Sequence, residues 1–351
     1  MASKIKVGLL IFIFTIIFNA CKDDAVKLGT QVSELFYVES EGAKMPVLVE
    51  GNTASKVIIV FVHGGPGGTA IGFQNDAYIS KYLEQPYAVA YWDQRAAGGS
   101  QGSFTPKLKI EQYANDLKKV IQVLKFRYGS DSKVFLLSHS FGGLVAPAFL
   151  TDGNNQEMVQ GWINIAGAHN YILNDSFTRA YLISFGKSQI AAGIHASEWQ
   201  TVVDDAEKAV PDFTLKTSRT LNLHASEVEA YIDDIETIPG TGIKDFLLGD
   251  KEAFSLFWTL SNAGSTVVSD FPKDLMYCQY SDKLHLIKLP LICITGKYDF
   301  TVPRGLADEV MTKAGSVKKN LVILNHSGHI CMNNEPDLLY ENILKFIKEN
   351  L

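Results

Sequence analysis

The twelve residues SKVFLLSHSFGG, Ser132 to Gly143, decide how the rest of the chain is read. Val134 to Leu137 form an uninterrupted apolar run, as in a strand covered on both faces. The run stops at Ser138-His139-Ser140, and a stretch with helical character opens at Gly142. Strand, sharp turn and helix in this order present the turn residue, Ser140, at the strand's C-terminal end. Such a turn closes tightly only with small residues two positions to either side. Gly142 meets that need, and Ser138 is small enough to stand at the other position. Taken alone, the same residues equally describe a serine capping the N-terminus of an ordinary helix.

Working outward, the same kind of buried run recurs. Val57 to Val62 are all apolar and lead into HGGPGG (63–68). YAVAYWD (87–93), GWINIAG (161–167), LPLICITG (289–296) and NLVILNH (320–326) follow the pattern, and ELFYVES with MPVLVEG reads as a starting hairpin. Between them lie helical spacings. Ile110, Tyr113, Leu117, Val120, Ile121 and Leu124 predict a helix over 110–128, and Leu338, Leu339, Ile343, Phe346 and Ile347 predict one over 336–350, with Pro336 in its first turn. Buried strands alternating with amphipathic helices predict an α/β fold with a mostly parallel central sheet. Residues 169–286 break the alternation with helical patterns alone. They are expected to form a helical cap inserted between core segments 35–168 and 287–351, over the sheet edge where such folds bind ligands.

The chain has 351 residues, 46% hydrophobic and 20% charged, with a formal net charge of −6. An acidic chain with no basic stripe argues against a nucleic-acid partner. The N-terminus stands apart. Lys4 and Lys6 precede the apolar run Val7 to Phe18, which is short for a membrane span and reads as the core of a signal peptide over 1–20. Phe18-Asn19-Ala20-Cys21 resembles a lipobox, with Phe18 where Leu is usual, so Cys21 is expected to be lipidated (palmitate) and to become the mature N-terminus. Cleavage near Ala20 with Cys21 as a bystander is the alternative. Residues 21–34 then form a spacer, and Lys22-Asp23-Asp24 resembles an outer-membrane sorting tag. The expected location is the cell envelope, as an outer-membrane lipoprotein. Without residues 1–20 the chain keeps 30 basic and 38 acidic side chains, a charge of −8. Cys278, Cys293 and Cys331 remain, an odd number that makes no complete disulfide framework. With no C-x-x-C and no metal-ligand cluster, no metal and no cofactor are implied.

A serine needs an adjacent base, itself oriented by an acid, to act as a nucleophile. Strand LICITG runs into Lys297-Tyr298-Asp299, and strand LVILN runs into His326-Ser327-Gly328-His329, so an acid and a base stand at successive strand ends after Ser140. Asp299 is the expected acid and His329 the expected base. His326 is the rival base, though it sits closer to the strand. Two backbone N–H groups are needed for an oxyanion. Phe141, directly after the serine, and Gly65, in the glycine-rich loop, are the expected donors. The loop is alternatively a plain Gly-Pro turn, and it lacks the Lys and Ser/Thr of a phosphate loop.

HGGPGG (63–68), WDQRAAGGS (92–100), SHSFGG (138–143), GKYDFTVP (296–303) and SGHICMNNEP (327–336) together resemble the prolyl aminopeptidase (proline iminopeptidase) branch of the α/β-hydrolases, over most of residues 45–350. The resemblance implies an α/β-hydrolase fold with a helical cap. It also implies a serine hydrolase that releases an N-terminal residue, often proline, from short peptides through an acyl-enzyme. The sequence departs from the family at Ala96 and Ser138, both usually glycine. The family's cap Trp-Glu, which holds the substrate ammonium, is also missing. Glu198, beside Trp199, is the nearest substitute. A carboxylesterase or lactonase with the same residues is the alternative, and a catalytically dead surface-binding lipoprotein the remote one. A dehalogenase or epoxide hydrolase would carry Asp where this chain has Ser140.

Overall fold

The apolar runs pair into one sheet. The computed structural model describes residues 31–74, 76–102, 108–209, 214–236, 238 and 253–351. Residues 1–20, expected to be a signal peptide, and Cys21 lie outside the described residues. The strands are β1 (Gln31–Ser40), β2 (Ala43–Asn52), β3 (Val57–Val62), β4 (Ala88–Trp92), β5 (Gln101–Gly102), β6 (Lys133–His139), β7 (Gly161–Ile165), β8 (Leu291–Gly296) and β9 (Lys319–Leu324). β1 starts at Gln31, inside the stretch read as spacer. Its register against β2 continues to Asn52, so alternation extends the hairpin four residues beyond the boundary expected at 35. Glu41 and Gly42 close this hairpin, both at positive φ, the geometry a two-residue turn needs to match strand twist.

The order across the sheet is β1-β2-β4-β3-β6-β7-β8-β9, with β5 paired to β2. β1, β2 and β4 pair antiparallel, and from β4 through β9 every neighbouring pair is parallel. The chain moves outward from β3 to β4 and then returns to β6 on the other side of β3. That reversal makes a crevice between the ends of β3 and β6, where open α/β sheets bind ligands. The loops 63–68 and 138–142 meet there.

Burial on both faces explains the apolar runs. On β3, Ile58, Val60 and Val62 pack with helix α1 (Ile110–Tyr128) and helix α2 (Gly142–Leu150), while Val57, Ile59 and Phe61 pack on the opposite face. The stretch expected to form the cap contains α3 (Tyr171–Ala192), α4 (Ala196–Lys208), α5 (Leu215–Val228) and α6 (Leu256–Val268). Trp199 of α4 is fully buried against Phe185 and Phe300, with ring centroids 5.5 and 5.9 Å away. The last part of the expected cap behaves differently. Phe271, Leu275, Tyr280 and Leu284 join the main core beside α1 and α2, so this stretch packs as core rather than lid. Helix α7 (Gly305–Lys313) links β8 to β9, and α8 (Pro336–Glu349) closes the second face.

Candidate active site

Ser140 sits at the turn after β6 with φ +54°, a left-handed conformation that costs a non-glycine residue energy. Its surroundings are stripped of side chains. A Cβ on Gly142 would lie 2.1 Å from the Val62 carbonyl oxygen, and one on Gly143 would lie 2.4 Å from Gly167. Only glycine lets α2 leave the strand at this angle. Ser138, where the related pattern has glycine, is not idle. Its buried Oγ accepts a hydrogen bond from Trp162 Nε1 (2.8 Å) and reaches Asn164 Oδ1 (3.2 Å), so it satisfies an indole N–H that would otherwise be stranded.

Three side chains from three strand ends converge. Ser140 Oγ donates toward His329 Nε2 at 3.0 Å, and His329 Nδ1 donates to Asp299 Oδ2 at 3.0 Å and Oδ1 at 3.1 Å. Asp299 has no exposure, and its Oδ1 also accepts from the Val302 N–H at 2.7 Å. Burial works to lower the His329 pKa, but the charge and hydrogen bond of Asp299 outweigh it and the net shift is upward. His326, the rival base, is half-exposed and points to Asp234 (Nδ1 to Oδ1 2.9 Å), outside this arrangement.

The histidine loop is braced from several sides. Glu335 accepts from the His326 N–H and from Ser327 Oγ, both at 2.7 Å, and Asn334 accepts from the Gly328 N–H at 3.1 Å. From the cap, Glu229 accepts from the His329 N–H at 2.9 Å. Burial, then repulsion from Asp299, pushes the Glu229 pKa up to about 8, so this carboxyl is largely protonated at neutral pH. His139 donates from Nε2 to the His329 carbonyl at 3.2 Å. Burial, then the neighbouring His329 charge, lowers its pKa to about 3 and keeps it neutral.

The two distinctive motifs brace each other. Asp93 accepts from Thr69 Oγ1 and the Ala70 N–H, both 2.7 Å, and from the Gly99 N–H at 2.8 Å. Gln94 donates its side chain to the His63 carbonyl (2.9 Å) and its N–H to His63 Nε2 (3.1 Å). Burial lowers the His63 pKa despite the charge of Asp93, which suits the neutral ring these bonds require. Arg95 pairs twice with buried Asp116, at 2.5 and 2.9 Å. Ala96 takes φ +55°, so the loop keeps a left-handed residue although glycine is absent.

A cavity of about 690 Å³ opens onto Ser140, within the usual range for small-molecule sites. Gly65 and Pro66 form one wall, Val302 and Met276 another, and helices α3 and α5 the roof. Gly65 adopts φ +133°, which only glycine accommodates readily. Phe141 is the N-cap of α2, so its N–H has no partner within the helix. Glu198 does not reach this cavity. Helix α4 turns Trp199, Val202, Val203 and Ala206 inward, which leaves Glu198 exposed and bonded to Ser197 Oγ at 2.7 Å. The carboxylate that does line the cavity is Asp175 of α3, 6% exposed, hydrogen-bonded by the Ser218 hydroxyl and without an ion pair among the described residues. Burial raises its pKa to about 6, which leaves it mostly ionised at neutral pH. Its sequence context, Leu173-Asn174-Asp175-Ser176, reads as any polar helix face, so only folding marks it. Among the described residues no cluster of three or more His, Cys, Asp or Glu could hold a metal ion.

Among known proteins, the profile of the serine aminopeptidase family S33 matches residues 53–183. "Probable aminopeptidase YbaC" of Bacillus subtilis (strain 168) is 22% identical over 319 residues, covering 88% of this chain and 94% of that protein. The proline iminopeptidase of Thermoplasma volcanium is 19% identical, covering 90% and 97%. Among solved structures, a proline iminopeptidase-related protein of Thermus thermophilus superposes with a TM-score of 0.60 at 20% identity, covering 91% of this chain and 98% of that one. An esterase from Exiguobacterium antarcticum superposes with a TM-score of 0.58 at 20% identity, covering 92% and 100%.

Proposed function

We propose that the chain, a hydrolase of the α/β-hydrolase fold, belongs to the prolyl aminopeptidase-like branch and is a serine aminopeptidase acting on short peptides. Ser140 Oγ attacks the carbonyl carbon of the first residue while His329 Nε2 takes its proton. Asp299 holds the imidazole with Nε2 free and stabilises the imidazolium that forms. The Phe141 and Gly65 N–H groups receive the oxyanion. His329 then gives its proton to the leaving amine, and the acyl-enzyme is released when His329 activates water.

The observation that carries the aminopeptidase reading is Asp175: a buried, ionised carboxylate without an ion pair among the described residues, in the wall of the cavity that holds Ser140. Such a group offers a charge-assisted bond to an ammonium, worth about 1.5–3 kcal/mol. Asp175→Asn is therefore expected to raise KM for a free-amine proline p-nitroanilide by about 10–100-fold, with turnover of p-nitrophenyl acetate unchanged. If wild type cleaves the N-acetylated anilide as well as the free amine, the ammonium reading fails. The apolar walls, with Leu275, Met276, Val302 and Leu215, favour the second reading, an esterase, for which ester cleavage alone would speak.

We also infer that Cys21 is lipidated and that the protein is an envelope lipoprotein, on the strength of the apolar run Val7–Phe18 and the small residue Ala20 before Cys21. Cys21→Ser is expected to move the protein from the membrane pellet to the supernatant after a salt wash. Retention in the pellet would remove this explanation of attachment.

A further inference from the structure

Helix α6 is built inside out. An ordinary surface helix turns its apolar stripe inward. Here the buried positions are Thr259, Asn262 and Thr266. Asn262 Nδ2 donates to the carbonyls of Gly98 (2.8 Å) and Ser100 (3.0 Å), and Thr266 Oγ1 donates to that of Ala96 (2.9 Å). The polar face is thus occupied in holding the 96–100 loop. The residues left outside are large and apolar: Phe257 is 73% exposed and Val268 84%, with Trp258, Leu260 and Val267 also exposed. The helix, LFWTLSNAGSTVV, has no charged residue. Leu223 of α5, also exposed, lines the Ser140 cavity together with Val267, so the apolar face runs up to the cavity's rim.

We propose that this face of α6 docks on the surface of a zwitterionic lipid bilayer, with the cavity mouth held beside the membrane. Exposed large apolar side chains grouped on one helix face mark an interaction site. The mixture of Trp and Phe with aliphatic residues suits the boundary between headgroups and acyl chains, where aromatic side chains gather. Arg219, exposed, donates Nη2 to the Val267 carbonyl at 3.0 Å, which sets a cation beside the apolar face, where a lipid phosphate could meet it. The mature charge of −8 disfavours an anionic surface. Chain length supplies the opportunity. Nine residues, 22–30, lie between Cys21 and Gln31, the first residue of β1; the extended reach of about 35 Å matches the length of β1, whose far end at Ser40 lies beside Arg95 and the 96–100 loop. The inference rests on the lipidation reading only for this reach, and the docking and the anchoring are measured separately.

Tryptophan fluorescence makes the test selective. Trp92, Trp162 and Trp199 are 0% exposed, while Trp258 is 40% exposed. The full-length processed protein is mixed with phosphatidylcholine vesicles, with or without bromine at carbons 6 and 7 of one acyl chain. Co-flotation reads attachment, and bromine quenching reads insertion of Trp258. The expected result is loss of most of the Trp258 emission on brominated vesicles. That loss should vanish in Trp258→Phe and fall sharply in Leu260→Ser with Val268→Ser, while ester turnover in solution stays at wild-type level. Flotation without quenching would leave an anchored protein whose α6 stays off the bilayer, and would overturn the proposal. Quenching absent together with a concentration-dependent dimer in sedimentation would overturn it in favour of a second copy covering the face.

Discussion

Ser140→Ala is expected to lower kcat by about 10⁴-fold or more on whichever anilide or ester the wild type accepts, because in the proposed mechanism the three residues act as a unit and the hydroxyl is the attacking atom. That loss corresponds to about 5.5 kcal/mol of transition-state stabilisation. The fold should be untouched, since the hydroxyl bonds to His329 and the main-chain bonds at this turn do not involve it. Far-ultraviolet circular dichroism and the melting temperature check this. Turnover within tenfold of wild type would remove Ser140 as the nucleophile. The pH profile gives a second reading of the same geometry. His329 must be neutral to take the serine proton. Its pKa lies above 6.5 because the charge and hydrogen bond of Asp299 outweigh burial. The kcat/KM of wild type should therefore fall as pH drops through a value above 6.5, and a limb centred below 6.5 would contradict the Asp299 contact.

Asp116→Ala should be the most destabilising single substitution outside the apolar core, at about 3–5 kcal/mol, the cost of leaving a buried charge unpaired. Asp116 has no exposure and Arg95 is almost as buried. Asp116 takes Arg95 Nε and Nη2, and Gln112 Nε2 donates to it as well, at 3.1 Å. Arg95 also donates to the Ser40 carbonyl (3.1 Å), so the pair ties the first hairpin, the 93–100 loop and α1 together. Equilibrium urea unfolding measures the effect. Asp116→Leu with Arg95→Met should recover most of the loss, since neither charge is then stranded. A cost under about 1 kcal/mol for Asp116→Ala would mean that water reaches the Arg95 guanidinium in solution.

Much of the fold could be read along the chain because parallel strands buried on both faces leave uninterrupted apolar runs, and because α1 buries the residues its spacing selects. The same logic misleads at α6. There the apolar residues look like core, yet the helix spends its polar face on carbonyls of the 96–100 loop, and hydrogen bonding outweighs burial. Glu198 is a matter of phase. Trp199 fills the space beside Gly186, where a Cβ would lie 2.8 Å from its ring, and that rotation turns the preceding residue to solvent.

By itself, the sequence determined the α/β class, the order of strands and helices, and the placing of Ser140, Asp299 and His329 at strand ends, because these depend on local periodicity and on turn residues adjacent in the chain. Tertiary structure alone decided the rest. Nothing local distinguishes Asp175 or Glu229 from a solvated acid on a polar helix. Only the packing of α3 against α5 buries the first, and only the approach of the cap to the histidine loop buries the second. Burial of a carboxylate is set by residues far away in sequence, and it is burial that fixes its charge and hence its chemistry.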